Sequence, residues 1–258
     1  MRTLDTAIDL AREAGRIQLE NLGKVHQVEY KGVTDIVTEV DKKCEELIIN
    51  RLQLEFPNHD ILAEEGGGRR LKSDYRWIVD PLDGTVNYTH GYPLFAVSIA
   101  LEHKGKVILG VVYEPNRDEL FVAEDGGGAT LNGQRISVSK TTDLQKALLD
   151  TGFAYNIHEG EKENNVVHFV DFLLKARAIR RDGVAASDLC YVACGRFDGF
   201  WELYLRPWDI AAGALIVKEA GGIVSSFDGS RFDIYDKEIL ASNPHIHKQM
   251  VEILCRKK

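Results

Sequence analysis

A chain of 258 residues suffices for one large domain or two closely packed halves. With 44% hydrophobic and 28% charged residues it has the balance of a globular protein with a sizeable core, and a net charge of −8 argues against a broad basic surface for nucleic acid. No apolar run approaches the roughly 18 residues of a membrane span. The N-terminal MRTLDTAIDLAREAG carries acids where a signal peptide carries an apolar core, so a cytoplasmic location is expected. The acidity also sets a chemical condition: carboxylates alone repel an anionic substrate, so phosphate chemistry here would need cations.

In chain order, Leu4, Ile8, Ala11, Ile17 and Leu22 fall near helical spacing, and Gly23 is a plausible stop. TEVDKKCEELIINRLQLEFP reads as a second helix, with Thr38 and Asp41 spaced as a capping box and Pro57 ending it. DILAEEGGG suggests a short strand running into a loop. YRWIVD, PLFAVSIALEHKGKVILGVVYEP and ELFVAED are apolar, β-branched runs broken at Lys104-Gly105 and Pro115-Asn116, which predicts an antiparallel, sheet-rich first half. After about residue 140 the pattern changes. Helical stretches (NNVVHFVDFLLKA, AASDLCYVACG, PWDIAAGALIVKEAGG) alternate with shorter strand candidates (ARAIRR, FDGFWELYL, IVSSF), as in an α/β half. With no repeat and no long linker, the expectation is a single unit over 1–258, softly divided into 1–143 and 144–258.

Four cysteines are too few and too scattered for a disulfide framework. Cys190 and Cys194, four apart on one helix, read as buried small-residue packing rather than a zinc pair.

The acids stand out where strands and helices begin or end. In WIVDPLDGTVNY, Asp80 and Asp83 follow an apolar strand, with Gly84 giving backbone access and Thr85 a hydroxyl. A type I turn, with Asp80 first and Pro81 second, explains the pair. An oxygen-rich site for a hard cation such as Mg²⁺ explains it equally, and the Leu82 carbonyl between them is a further donor. Glu64 and Glu65 fit a solvated loop. Asp209 fits a helix N-cap, Asp41 a capping-box acid and Asp35 a turn cap. Each acid thus has a local explanation, and spacing alone cannot bring Asp83 and Asp209 together.

Taken together, DIVTEVD, ILAEEG, WIVDPLDGTVNY and LRPWDIAAGALIVKEAGG resemble, in order and spacing, the inositol monophosphatase family of Mg²⁺-dependent, lithium-sensitive phosphatases, over residues of about 31 to 227. The resemblance implies an α/β fold with layered αβαβα architecture, that of the inositol monophosphatase and fructose-1,6-bisphosphatase sugar phosphatases. It implies that Glu64, Asp80 and the Leu82 carbonyl hold one Mg²⁺. Asp80, Asp83 and Asp209 would hold a second, and Glu64 would help hold a third through waters. Thr85, bonded to Asp41, would orient or deprotonate the attacking water. The Gly84 and Thr85 amides would cradle phosphate, and Glu202, the Ala185 backbone and Asp83 would meet the sugar hydroxyls. A homodimer is implied too. Leu82, Val86 and Tyr88 depart from the commonest pattern without removing a ligand side chain, and the loop GGGRRLKSDYR is less familiar, leaving entry to the site open.

The expected reaction is hydrolysis of inositol 1-phosphate by metal-activated water. Fructose 1,6-bisphosphate, histidinol phosphate or 3′-phosphoadenosine 5′-phosphate are alternative substrates within the same chemistry. A different class, an RNA polymerase- or ribosome-associated factor on the same fold, is the other alternative. Neither a membrane nor a nucleic acid is expected as a partner.

Overall fold

The computed structural model describes residues 2–24, 27–32, 34–155, 157 and 164–255. Helix α1 (Arg2–Asn21) buries Ala7, Leu10, Ala11, Ala14 and Ile17, one apolar stripe at helical spacing. A two-stranded ribbon of β1 (Val28–Tyr30) and β2 (Ile36–Thr38) leads into α2 (Glu39–Glu55). Thr38 caps α2. Its hydroxyl accepts from the Val40 amide at 3.1 Å, and its own amide donates to Asp41 Oδ2 at 3.0 Å.

A seven-stranded sheet follows in simple order: β3 (Asp60–Ala63), β4 (Tyr75–Asp83), β5 (Ala96–His103), β6 (Lys106–Glu114), β7 (Glu119–Glu124), β8 (Gly128–Leu131) and β9 (Gln134–Arg135). The runs expected to form antiparallel strands, β4 to β7, do so, and β8 and β9 continue the pattern; β3 and β4 run parallel. Between β4 and β5 lies the five-residue helix α3 (Thr85–Thr89). Strand β4 alternates as its sequence requires. Trp77 and Val79 face the core under α1 and α2, while Ile78 faces the opposite core.

The second sheet has the order β11-β10-β12-β14-β13, built from β10 (Leu148–Thr151), β11 (Ala178–Arg180), β12 (Gly199–Leu203), β13 (Ile223–Ser225) and β14 (Glu238–Ser242). Its helices are α4 (Val166–Leu173), α5 (Ala185–Ala193), α6 (Pro207–Glu219) and α7 (His247–Leu254).

The layers stack as αβαβα. Helices α1 and α2 pack on one face of the first sheet. Helices α5 and α6 fill the space between the sheets, and α4 and α7 cover the outer face of the second. The middle layer is thin because α6 is lined by small residues. A methyl group added at Gly110 of β6 would lie 2.8 Å from the Ala212 carbonyl of α6, so only glycine admits that approach. Cys190 lies in the central core, Cys194 ends α5, and all four cysteines are free. No helix among the described residues is long and apolar enough to cross a membrane.

Candidate active site

The two sheets and their shared helices leave a cavity of about 800 Å³. Its wall includes Glu64, Asp80, Asp83 and Asp209, which come from three separate stretches of chain.

Strand β4 carries the central pair differently from the turn reading. Asp80 pairs with Ser98 and Asp83 with Ala96, so β4 has one residue more than β5 across this interval and the ladder bulges. Pro81 falls inside the bulge, where its missing N–H breaks no regular pair. The strand therefore continues through Asp83 instead of turning at Asp80. Its bulge is pinned by Gln18, whose side-chain amide donates to the Pro81 carbonyl at 2.8 Å, and by the Leu82 amide, which donates to Asp80 Oδ1 at 3.0 Å. Gly84 then adopts φ +93°, a left-handed conformation that starts α3 at once.

Asp209 likewise differs from its expected place. It is the third residue of α6, not the N-cap; Arg206 is the cap, and its amide donates to Asp209 Oδ2 at 2.7 Å. Asp83 Oδ2 accepts from the Ala186 amide of α5 at 2.8 Å. Glu64, just past β3, accepts from Lys31 Nζ at 3.0 Å. Each of the four acids thus has one oxygen engaged by a protein donor, which restricts its rotation and leaves acceptor capacity for a cation.

Their electrostatics point the same way. Burial lifts Asp83 to about 7 against the Ala186 amide, with Glu64 adding to the lift. Asp209 rises to about 7 through burial and then through Asp83. Glu64 rises to about 7 through burial, opposed by Lys31, with Asp209 and Asp41 repelling it. Asp80, only 1% exposed, rises well above the usual carboxylate range through burial, Glu64, Asp83 and Asp209. Acids that raise one another in a cavity are a site short of positive charge, and an all-oxygen donor set suits Mg²⁺. Among the described residues, the triplet that gathers oxygens within 4.8 Å of one another is a different one, Asp150, Asp182 and Asp188.

Thr85 stands at the start of α3. Its hydroxyl donates to Asp41 Oδ1 at 2.7 Å and lies 3.1 Å from the Leu82 carbonyl. Asp41 is fully buried and also serves the α2 capping box through its other oxygen, so the capping role and the contact with Thr85 coexist. Burial raises Asp41, and the hydrogen bonds from Thr38 and Thr85 oppose the rise. Leu82, Gly84, Ala185 and Glu202 also line the cavity. Glu202 on β12 is 7% exposed, and burial and Asp209 push its carboxyl well up. A methyl group at Gly152 would collide with its carboxylate.

Sequence reasoning missed the cavity's cations. Lys31 bridges Glu64 and Glu65, at 3.0 and 2.7 Å, and Arg181, Arg206 and Lys237 line the same space. These are the positive groups that the overall acidity of the chain required. Tyr155 also lines the cavity, and its carbonyl accepts from Thr34 Oγ1 at 3.1 Å. The loop GGGRRLKSDYR does not line it. That loop is tied to β3 through the Ile61–Arg69 bridge and through Asp60 Oδ1, which accepts from the Leu71 amide at 2.6 Å.

The inositol monophosphatase family matches residues 1–258. Inositol monophosphatase 3 of Solanum lycopersicum is 44% identical over 256 residues, covering 97% of this chain and 96% of that protein. A putative Nus factor SuhB of Neisseria meningitidis is 42% identical over 254 residues, covering 97% of each. Among solved structures, the extragenic suppressor protein SuhB of Bartonella henselae superposes with a TM-score of 0.94 at 41% identity, covering the whole of both chains.

Proposed function

The chain belongs to the inositol monophosphatase family, and on that premise we propose that it is a Mg²⁺-dependent phosphomonoesterase that hydrolyses inositol 1-phosphate to inositol and phosphate. The observation that carries the proposal is the convergence of Glu64, Asp80, Asp83 and Asp209 on one cavity beside a Thr85 hydroxyl bonded to Asp41.

Glu64, Asp80 and the Leu82 carbonyl would hold one Mg²⁺; Asp80, Asp83 and Asp209 would hold another, with Glu64 contributing to a third. When bound, Mg²⁺ lowers the pKa of water and offsets the negative charge of the phosphate ester. The protein's own part is positioning and proton handling, the main requirements of phosphate ester hydrolysis. Because Thr85 donates to Asp41, its oxygen lone pairs are free to accept from an attacking water. The buried Asp41 carboxylate, with its raised proton affinity, receives the proton through the hydroxyl. The Gly84 and Thr85 amides would cradle the phosphate oxygens. Glu202, whose carboxyl is pushed well up by burial, would accept hydrogen bonds from ring hydroxyls, alongside the Ala185 backbone and Asp83.

Lithium inhibition follows from the same reading, as does a homodimer. Helix α4 supports the dimer: Val166, Val170 and Leu173 are about half exposed and Leu174 is 79% exposed, an apolar face suited to a second copy. We place the protein in the cytoplasm, which its four free cysteines support. Purified protein tests the reading. Asp83→Asn should reduce Mg²⁺-dependent phosphate release to background while the fold survives, and unchanged release would remove Asp83 from the machinery.

The relatives named SuhB favour a second reading, in which the outer surface also binds the transcription machinery. An RNA polymerase pull-down that survives Asp83→Asn would support it as an added role. Loss of phosphatase activity together with a retained pull-down would separate the two.

A further inference from the structure

Three acids have no part in that reaction. Asp150 lies on β10, Asp182 in the segment before α5, and Asp188 on α5. Each brings a carboxylate oxygen within 4.8 Å of the other two. Exposed acids often cluster to no purpose, but here Asp150 is 0% and Asp188 1% exposed. Neither oxygen of Asp150 nor Oδ1 of Asp188 receives a hydrogen bond of ordinary geometry. The Thr151 and Asp182 amides stand near Asp150 without reaching such geometry, and the two carboxyls approach each other.

The surroundings offer no counter-charge to the inner pair. The strongest charges acting on Asp188 come from Asp150, Asp182, Asp83 and Glu202, all acids. Arg180 and Arg117 act on Asp182, the half-buried outer member. Buried carboxylates left facing one another are costly unless something positive lies between them. A single shared proton would satisfy one oxygen pair and leave the remaining oxygens with no donor in ordinary hydrogen-bond geometry, the Thr151 and Asp182 amides standing near Asp150 alone. A cation engages all three groups, and the half-exposed Asp182 gives it a way in. An all-carboxylate set selects a hard ion. Oxygens up to 4.8 Å apart fit opposite sides of a Ca²⁺ shell, whose bonds are about 2.4 Å.

We propose that Asp150, Asp182 and Asp188 form a structural divalent-cation site, separate from the catalytic one and of Ca²⁺ size, that ties β10 to α5. The tie matters locally because the Ala186 amide of α5 holds Asp83. The inference does not depend on the phosphatase reading.

The test uses the full chain carrying Asp83→Asn and Asp209→Asn, stripped with EDTA and dialysed against Ca²⁺ up to millimolar. Bound Ca²⁺ per chain and the thermal midpoint are both measured. Adding Asp188→Asn, or Asp150→Asn, should remove one Ca²⁺ per chain and abolish the Ca²⁺-induced rise in midpoint. Asp182→Asn, at the half-exposed position, should weaken binding with the fold intact by circular dichroism. Equal Ca²⁺ counts with and without Asp188→Asn would overturn the proposal. So would a parent protein that binds no Ca²⁺, since a shared proton then neutralises the pair.

Discussion

Replacing Asp209 by Asn is expected to abolish turnover and yet to stabilise the metal-free protein. Burial, with Asp83 beside it, lifts Asp209 to about 7, while the Arg206 amide and the charges of Arg206 and Lys31 oppose the lift. In the unfolded chain an aspartate titrates near about 3.9. Between those two values the native state binds more protons than the unfolded state. Stability therefore falls as pH rises from about 4 to about 7, and levels off above. At about 1.4 kcal/mol per pKa unit, a fully ionised Asp209 costs roughly 4 kcal/mol. Asp209 is partly exposed and repelled mainly by a neighbour that also titrates, so about half of that, ~2 kcal/mol, is expected. Asparagine keeps an oxygen for the Arg206 amide, which now donates to Oδ2 at 2.7 Å, so the cap of α6 persists. For a chain of this size, ~2 kcal/mol corresponds to a thermal midpoint higher by roughly 4–8 °C. Thermal unfolding in EDTA at about pH 8 should show that gain, and at about pH 5 it should shrink to roughly a third, because only the interval from about 3.9 to 5 then contributes. Added Mg²⁺ should raise the midpoint of the wild type more than that of the variant. An Asn variant no more stable than the wild type at about pH 8, or a gain equal at both pH values, would refute the reasoning.

Thr85→Ala removes the hydroxyl bonded to Asp41 and should lower kcat by about 10²–10⁴ with little change in KM, whereas Thr85→Ser should recover most of the rate in steady-state assays. Gly152→Ala places a methyl group against the Glu202 carboxylate and should raise KM for a polyol phosphate more than it lowers kcat. Gly84→Ala sets an L-residue at φ +93° with its Cβ 2.7 Å from Val184 Cγ2, and should cost roughly 2–5 kcal/mol in denaturant unfolding. Phosphate release should fall as lithium rises at limiting Mg²⁺, and a full rate at high lithium would count against the family-based reading.

Much of the fold was legible because local chemistry and tertiary role agree. Thr38 and Asp41 announce α2 and also make the cap that is found there. The alternation of Trp77, Ile78 and Val79 follows the two faces of a buried strand. Pro81 misled the turn reading because a proline inside a bulge and a proline in a turn look alike in one sequence. The ladder from Asp83 to Ala96 is a non-local fact. Asp209 misled in the same way: an acid near a helix start suits either the N-cap or the third position, and Arg206 is an uncommon cap. Strands such as β14 and the short helix α7 were passed over, the first being apolar but brief.

Family motifs, not spacing, brought Glu64, Asp80, Asp83 and Asp209 into one reading, since Asp83 and Asp209 lie on different elements far apart in the chain. Lys31 had no motif to mark it, and its bridge to Glu64 and Glu65 depends on how the β1–β2 ribbon folds over the end of β3. Asp150 and Asp188 were silent for the same reason. One sits in a strand of the second sheet and the other in the middle helix layer, and only packing makes them neighbours.

The central claim is phosphate ester hydrolysis in the acid-lined cavity, and phosphate release by the purified protein tests it most directly. The panel is inositol 1-phosphate, fructose 1,6-bisphosphate, histidinol phosphate and 3′-phosphoadenosine 5′-phosphate, each with Mg²⁺ and with EDTA. The account predicts Mg²⁺-dependent release with inositol 1-phosphate preferred; no release from any of the four with Mg²⁺ bound would contradict it.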